Sequence, residues 1–135
     1  MKVDLNGKVV IVTGGGGAIG SAMCEQLAAN GAKVIVAGRT MRTLEATVNA
    51  IREAGGEATA VTADVSQKES AENLIRETVR IYGRLDCMIN NAGINGGPDD
   101  RKRVHEYSDD LWDRIVSVDL NGVYYCSKYA IRQMI

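Results

Sequence analysis

A run of branched apolar residues that leads directly into glycines most constrains how this chain folds. Val9–Val12 (VVIV) precede the segment Thr13–Gly20 (TGGGGAIG). Four such residues in succession are typical of a strand buried on both faces of a parallel sheet. The glycines permit a sharp turn and a close ligand, and a helix from about Ala18 would direct free N–H groups toward that turn. The segment therefore predicts a strand, a diphosphate-binding turn and a helix, with a plain glycine-rich connection as the alternative.

Composition excludes several classes of function. The 135 residues include 16 Lys and Arg against 17 Asp and Glu, a net charge of −1, so we expect no nucleic-acid partner. Because no apolar run approaches membrane-spanning length, we expect no membrane partner and a cytoplasmic location. The cysteines Cys24, Cys87 and Cys126 lie in apolar patterns, which predicts reduced and mostly buried thiols. His105 is the only histidine, so we expect no metal site.

Strands and helices alternate along the sequence. The pattern predicts strands near residues 8–13, 33–37, 58–63 and 85–90, and helices near 18–30, 42–54, 66–82 and 108–135. Strands joined through helices run parallel with right-handed crossovers. We therefore predict one domain over residues 1–135, with a doubly wound, Rossmann-like α/β fold and strand order 3-2-1-4.

Local signals refine two of the helix starts. Ser66 and Glu69 have the spacing of a capping box, and Ser108 is placed to cap the last helix. Within that helix we expect Leu111, Trp112 and Ile115 to be core residues, and we expect a bend near residues 121–122. The charged stretch 99–103 is interpreted as a solvated loop with a secondary option as a substrate or subunit contact.

Two positions that follow predicted strands suggest a nucleotide ligand. Arg39 follows the second strand where dinucleotide folds often carry an acid for the ribose hydroxyls; a guanidinium there suits a ribose 2′-phosphate. Arg39 thus favours NADP over NAD, unless it is simply a solvated residue. Asp64, beside Val65 after the third strand, could accept from the amino group of adenine or could be a solvated turn residue beside a helix start.

These motifs together resemble the short-chain dehydrogenase/reductase family. The resemblance covers essentially the whole chain and rests on the pattern Thr13-Gly14-x-x-x-Ala18-x-Gly20, on Asp64-Val65 and on Asn90-Asn91-Ala92-Gly93. Ala18 stands where many members have glycine. The resemblance implies that the cofactor-binding residues are Thr13, Gly14, Gly16, Gly17, Ile19, Gly20, Arg39, Asp64, Val65, Asn91, Ala92 and Gly93.

The chain departs from the family pattern on the last helix. Asp119, in Val118-Asp119-Leu120-Asn121-Gly122, occupies the position of the family's catalytic Asn and is the one candidate catalytic residue. The family's Ser, Tyr and Lys belong to a later strand and helix, which we expect to be absent from this chain. We interpret Tyr124 and Lys128, which reproduce the Tyr-x-x-x-Lys spacing, as a coincidence on the last helix.

The resemblance implies an oxidoreductase that uses NADP(H) in preference to NAD(H). Hydride would pass between the nicotinamide and a small alcohol or carbonyl substrate. We expect this chain alone to bind the cofactor with little or no turnover, and to form a homo-oligomer through uncovered apolar surface. The alternative is a non-catalytic nucleotide-binding or assembly module; a flavin-binding doubly wound protein is a weaker alternative.

Overall fold

The computed structural model describes residues 2–135 as a parallel sheet covered by helices on both faces. Two short 3₁₀ turns, Gly97–Asp100 and Val104–Glu106, follow the fourth strand, and a π-helical segment, Ser117–Asn121, lies between the last two helices. The strands are β1 Val9–Thr13, β2 Lys33–Gly38, β3 Glu57–Thr62 and β4 Cys87–Ile89. The helices are α1 Ala18–Ala29, α2 Met41–Glu53, α3 Lys68–Tyr82, α4 Asp109–Val116 and α5 Gly122–Met134.

The sheet has the predicted order β3-β2-β1-β4, and its pairs β1–β2, β1–β4 and β2–β3 are all parallel. In register, Ile11 of β1 lies between Ile35 of β2 and Met88 of β4. Parallel pairing places the carboxyl ends of all four strands at one edge, and the chain leaves β1 next to β4 at the point where the strand order reverses. The predicted fold class is therefore confirmed.

Alternate residues of β1 contact the two helical layers. Val10 and Val12 pack with α1 and α2, in a cluster that includes Cys24 and Leu44. Ile11 faces the opposite layer with Leu74, Ile75 and Ala130 of α3 and α5. Since successive side chains of a strand point to opposite faces, an unbroken apolar run is required when both faces are covered.

Helix ends follow several of the sequence signals, with one exception. Gly31 and Gly83 follow α1 and α3 with φ of +98° and +80°, conformations that glycine adopts at little cost. Ser108 accepts a hydrogen bond from the N–H of Leu111 at 3.2 Å and caps α4. The capping box at Ser66 is wrong: α3 begins at Lys68 after Gln67, because the Ser66 hydroxyl donates to Asp64 Oδ1 at 2.6 Å instead.

Two predicted core positions are exposed. Trp112 is 62% exposed, because α4 buries Leu111 and turns Trp112 away from the sheet. Cys87 is exposed at the start of β4, which lies at the edge of the sheet and, within residues 2–135, pairs with β1 alone. Cys24 and Cys126 are buried as predicted. The predicted single long helix is interrupted by the π-helical segment, close to the expected bend.

The glycine turn, residues 14–20, is packed too tightly for side chains at several positions. Gly14 has φ of +67°, and a Cβ there would lie 3.0 Å from Asn91 Nδ2. A Cβ on Gly20 would overlap the carbonyl oxygen of Gly14. Helix α1 can therefore approach the end of β1 only because Gly20 has no side chain.

We predict that Gly20→Ala destabilises the chain by about 2 kcal/mol or more, because the new methyl group must displace backbone. Gly17→Ala is the matched control: its Cβ would meet nothing nearer than the Gly14 carbonyl oxygen at 3.5 Å. Urea unfolding of the two variants beside the wild-type chain measures the difference. Equal midpoints for Gly20→Ala and Gly17→Ala would contradict this account of the packing.

Candidate functional site

A cavity of about 160 Å³ opens at the carboxyl edge of the sheet, where the four strands end. Ligands of open α/β sheets bind at this edge, beside the point where strand order reverses. The lining residues lie at or after the ends of the four strands, with one from the π-helical segment: Thr13, Gly14, Gly38, Arg39, Ala63, Asp64, Val65, Ala92, Gly93, Ile94 and Val118.

The hydroxyl of Thr13 ties the end of β1 to the segment after β4. Its oxygen accepts hydrogen bonds from the N–H groups of Asn91 and Ala92, both at 3.0 Å, and donates to the carbonyl of Ile89 at 3.3 Å. Thr13 is buried, so each of these bonds is shielded from water. The hydroxyl thereby fixes the floor of the cavity.

The glycine turn directs its carbonyl groups inward and leaves amide groups free. The Gly14 carbonyl accepts from the N–H of Gly17 at 3.1 Å and from Asn91 Nδ2 at 3.3 Å. Within residues 2–135, the amide groups of Gly16, Ala18, Ile19 and Gly20 have no hydrogen-bond acceptor. Gly17, the N-cap of α1, carries no side chain to satisfy them. Free amides at a helix N-terminus favour an anion.

Ile19 lies on the first turn of α1 and is 72% exposed. An isoleucine this exposed beside free amide groups provides an apolar surface next to a polar one. That combination suits a ligand with a phosphate and an aromatic ring.

Arg39 lines the cavity directly after β2, and Arg42 lies on the first turn of α2. Both side chains are exposed. In the part of the chain that the structure describes, neither guanidinium is within 4.0 Å of a carboxylate oxygen. Arg39 therefore places a cation at the cavity wall with no carboxylate paired to it in residues 2–135, and Arg42 follows three positions later.

Asp64 and Val65 follow β3 and lie beside the start of α3. Asp64 Oδ1 accepts from the Ser66 amide at 3.1 Å and from its hydroxyl, while the Asp64 N–H donates to Ser70 Oγ at 2.8 Å. These bonds fix the carboxylate at the cavity wall, and no donor of residues 2–135 bonds to Oδ2. Asp64 is half-buried and Val65 is buried. The two interpretations of Asp64, as a contact to the amino group of adenine and as a turn residue, are thus compatible, because Oδ1 alone accepts the hydrogen bonds of the turn.

The segment after β4 is held by side chains on both sides. Asn90 Nδ2 donates to Ser127 Oγ of α5 at 3.1 Å. Asp119, in the π-helical segment, accepts from the N–H of Ile94 at 2.8 Å through Oδ1, and its carboxylate lies beside Gly93. The Asp119 carboxylate therefore anchors the loop at the edge of the cavity.

The loop that follows is closed by Asp100. Its carboxylate accepts from the Tyr107 hydroxyl and from the N–H of Gly96, the latter at 2.5 Å. These bonds hold the pKa of Asp100 below its usual value, chiefly through Tyr107, and the same contact raises the pKa of Tyr107. The expectation of a solvated loop needs correction at Asp100, which is half-buried and bonded within the loop.

Tyr124 and Lys128 are not part of the cavity wall. Tyr124 is exposed, and the Lys128 ammonium lies 5.8 Å from the centre of its ring. This geometry fits the interpretation of their spacing as a coincidence on the helix surface.

The cavity includes some of the predicted site residues and adds others. Thr13, Gly14, Arg39, Asp64, Val65, Ala92 and Gly93 line it; Gly16, Gly17, Ile19, Gly20, Asn91 and Asp119 lie on the adjoining turn, loop and helix. Sequence reasoning missed Gly38, Ala63, Ile94 and Val118. Gly38 and Ala63 lie at the ends of predicted strands, so their positions in the sequence could have identified them. Ile94 and Val118 are apolar, and no sequence signal distinguished them from core residues.

Residues 2–135 contain neither a candidate metal-binding cluster nor a candidate membrane-spanning helix. No group of three His, Cys, Asp or Glu side chains is arranged to hold a metal ion. None of the helices combines the length and apolarity needed to cross a bilayer.

Comparisons with known proteins agree with this geometry. Residues 8–135 match the short chain dehydrogenase family. An uncharacterized oxidoreductase of Thermotoga maritima is 38% identical over 131 residues, covering 97% of this chain and 50% of that protein. The 3beta-hydroxysteroid dehydrogenase 1 of Eggerthella lenta is 40% identical over 133 residues, covering 97% and 49%.

A solved structure is also similar to this chain. The crystal structure of a short chain dehydrogenase from Mycobacterium smegmatis superposes with a TM-score of 0.89 at 34% identity, covering 98% of this chain and 56% of that one. The chain thus spans about half the length of the relatives that it matches. With the family match over residues 8–135, this similarity shows that the chain belongs to the short-chain dehydrogenase/reductase family of oxidoreductases.

Proposed function

We propose that this chain is the cofactor-binding part of an oxidoreductase that transfers hydride between NADP(H) and a small alcohol or carbonyl substrate. One observation carries the proposal: the glycine turn presents four free amide groups beside a cavity at the strand ends. Backbone amides at a helix N-terminus are the group of choice for a diphosphate. The bound nicotinamide would supply the hydride chemistry, and the protein would position it.

We assign the remaining residues of the cavity and its surroundings to the parts of a dinucleotide as follows. Gly16, Gly17 and Gly20 would face the diphosphate, and Ile19 would contact an apolar face of the cofactor. Asp64 and Val65 would hold the adenine. Asn91, Ala92 and Gly93 would line the adenosine ribose, where small side chains leave room for the sugar.

Arg39 supports a preference for NADP(H) over NAD(H). Its guanidinium lies at the end of β2 without a carboxylate within 4.0 Å in residues 2–135. A planar guanidinium can form two parallel hydrogen bonds with a phosphate. Arg42, on the first turn of α2, adds a second positive charge close in sequence to Arg39.

We predict that Arg39→Ala weakens NADPH binding about tenfold or more and leaves NADH binding within about twofold, because a charge-assisted hydrogen bond to the 2′-phosphate is lost. Titration calorimetry of the purified chain with both nucleotides measures the two affinities. Arg80→Ala is the control, since Arg80 is also exposed but pairs with Glu77 on α3. Equal losses for NADPH and NADH would contradict the assignment of Arg39.

We propose that this chain alone has little or no turnover. Asp119 would stand near the reacting groups but is engaged with Ile94, while Tyr124 and Lys128 lie outside the cavity wall. The expected result is binding of NADPH without measurable oxidation when the chain is mixed with a panel of aldehydes and ketones. Absorbance at the nicotinamide band follows the reaction, and steady ketone reduction by the pure chain would refute this point.

A non-catalytic assembly module remains the second candidate, and one observation favours association. Leu120, Tyr124 and Ile131 are 65%, 59% and 54% exposed and recur at helical spacing along α5 and the segment before it. An apolar stripe of this kind is typical of a contact surface. We therefore propose that the chain forms a homo-oligomer through this stripe.

For the oligomer we predict that Ile131→Glu shifts the chain toward the monomer, because a carboxylate within an apolar contact costs desolvation energy. Sedimentation velocity at several protein concentrations measures the distribution. Val104→Glu is the matched control, because Val104 is 91% exposed but lies in the loop before α4. A wild-type chain that is monomeric at all concentrations would contradict the proposal.

We also propose a cytoplasmic location, in a reducing compartment. Cys24 and Cys126 are buried, and burial raises their pKa values to about 12 and about 11. Such thiols stay protonated and react slowly, as expected of buried cysteines that form no disulfide bond within residues 2–135.

A further inference from the structure

Thr47 is a buried polar residue whose hydroxyl contacts the glycine turn. It lies on α2, is 4% exposed, and its hydroxyl donates to the carbonyl of Gly15 at 3.0 Å. Residues 15 and 47 are 32 positions apart in the sequence, so the bond joins two separate elements. Nothing in the family motif pointed to this side chain.

The hydroxyl also lies near an acceptor within its own helix. A threonine in a helix commonly donates to the carbonyl four residues earlier. Thr78 does so at 2.8 Å to Leu74. For Thr47 the corresponding distance to the Thr43 carbonyl is 3.4 Å, longer than the 3.0 Å to Gly15. Because a hydroxyl has one proton, the shorter contact identifies Gly15 as the principal acceptor.

Gly15 is thereby held at both of its peptide groups. Its N–H donates to the carbonyl of Ala37 at 3.0 Å, and its carbonyl accepts from Thr47. A Cβ on Gly15 would lie 2.6 Å from Val36 Cγ1, so the turn is also pressed against β2. With the Gly15 carbonyl drawn toward α2, the next amide, that of Gly16, is the free group on the opposite side of the same peptide.

We propose that Thr47 is a positioning residue for the diphosphate-binding turn. Its hydroxyl sets the orientation of the Gly15–Gly16 peptide and so keeps the Gly16 amide available to an anion. The carbonyl oxygen of that peptide would otherwise be free to rotate toward the phosphate, where its partial negative charge repels the ligand. This inference rests on the proposed cofactor site.

The test compares Thr47→Val with the wild-type chain. Valine keeps the size and shape of threonine and removes the hydroxyl. We expect the dissociation constant for ADP to rise about fivefold, as for the loss of one hydrogen bond, while that for adenosine stays within about twofold. Only the ligand with a diphosphate depends on the turn. Thr47→Ser, which keeps the hydroxyl, should restore ADP binding.

Thr78→Val is the matched control, because Thr78 is also a buried threonine whose hydroxyl bonds within α3. It should alter stability without a selective loss for ADP. If Thr47→Val does not fold, Thr47→Ser and Thr47→Ala differ by the hydroxyl alone and replace it. Equal ADP affinity with and without the hydroxyl, or parallel losses for ADP and adenosine, would overturn the inference.

Amide hydrogen exchange separates this inference from the proposed function. Without any ligand, the hydrogen-bonded amides of Gly15 and Gly17 should exchange faster in Thr47→Val than in the wild-type chain and in Thr78→Val. If the wild-type chain binds neither ADP nor NADPH, the proposed function fails on its own. Unchanged exchange in Thr47→Val would refute the role of Thr47 whatever the ligand result.

Discussion

The packing of the glycine turn between three elements is the constraint on which the site depends. Gly20 lets α1 contact the Gly14 carbonyl, and Gly15 is pressed against Val36 of β2. On the other side, Asn91 after β4 bonds the same Gly14 carbonyl. Side chains are excluded where backbone meets backbone, so the turn presents amide groups to the cavity. The absence of side chains therefore makes this segment rigid and also lets it present its amide groups.

The parallel sheet explains why short and distant motifs form one cavity. Residues after β1, β2, β3 and β4 are separated by tens of positions but share one edge, since every strand points the same way. The Thr13 hydroxyl then joins two adjacent strand ends through three hydrogen bonds. Polar contacts made by Asp119 and Ser127 extend this support to the last helices. The core thus fixes the strands, and a few side-chain bonds fix the loops.

Sequence periodicity was sufficient for most element positions, because apolar runs and glycine stops are local signals, and the rules for doubly wound folds then predicted the strand order. It was insufficient where burial depends on neighbours far along the chain. Trp112 and Cys87 look apolar in sequence, but α4 turns the first outward and the sheet ends beside the second. Ser66 has the spacing of a helix cap, yet Asp64 competes for its hydroxyl. Thr47 has no local signal, because its partner lies 32 residues away.

The π-helical segment Ser117–Asn121 has a consequence for how this helix tolerates change in length. A wide turn of this kind is equivalent to one additional residue in an α-helix. Removing one residue from the segment would restore regular winding with α5 still facing the sheet, whereas removing one residue from the first turn of α5 itself would turn the rest of that helix by about 100°. Cys126 would then leave the core and Ser127 would leave Asn90, although neither had been altered. The alignment of α5 with the sheet is therefore set by residue count as much as by residue type.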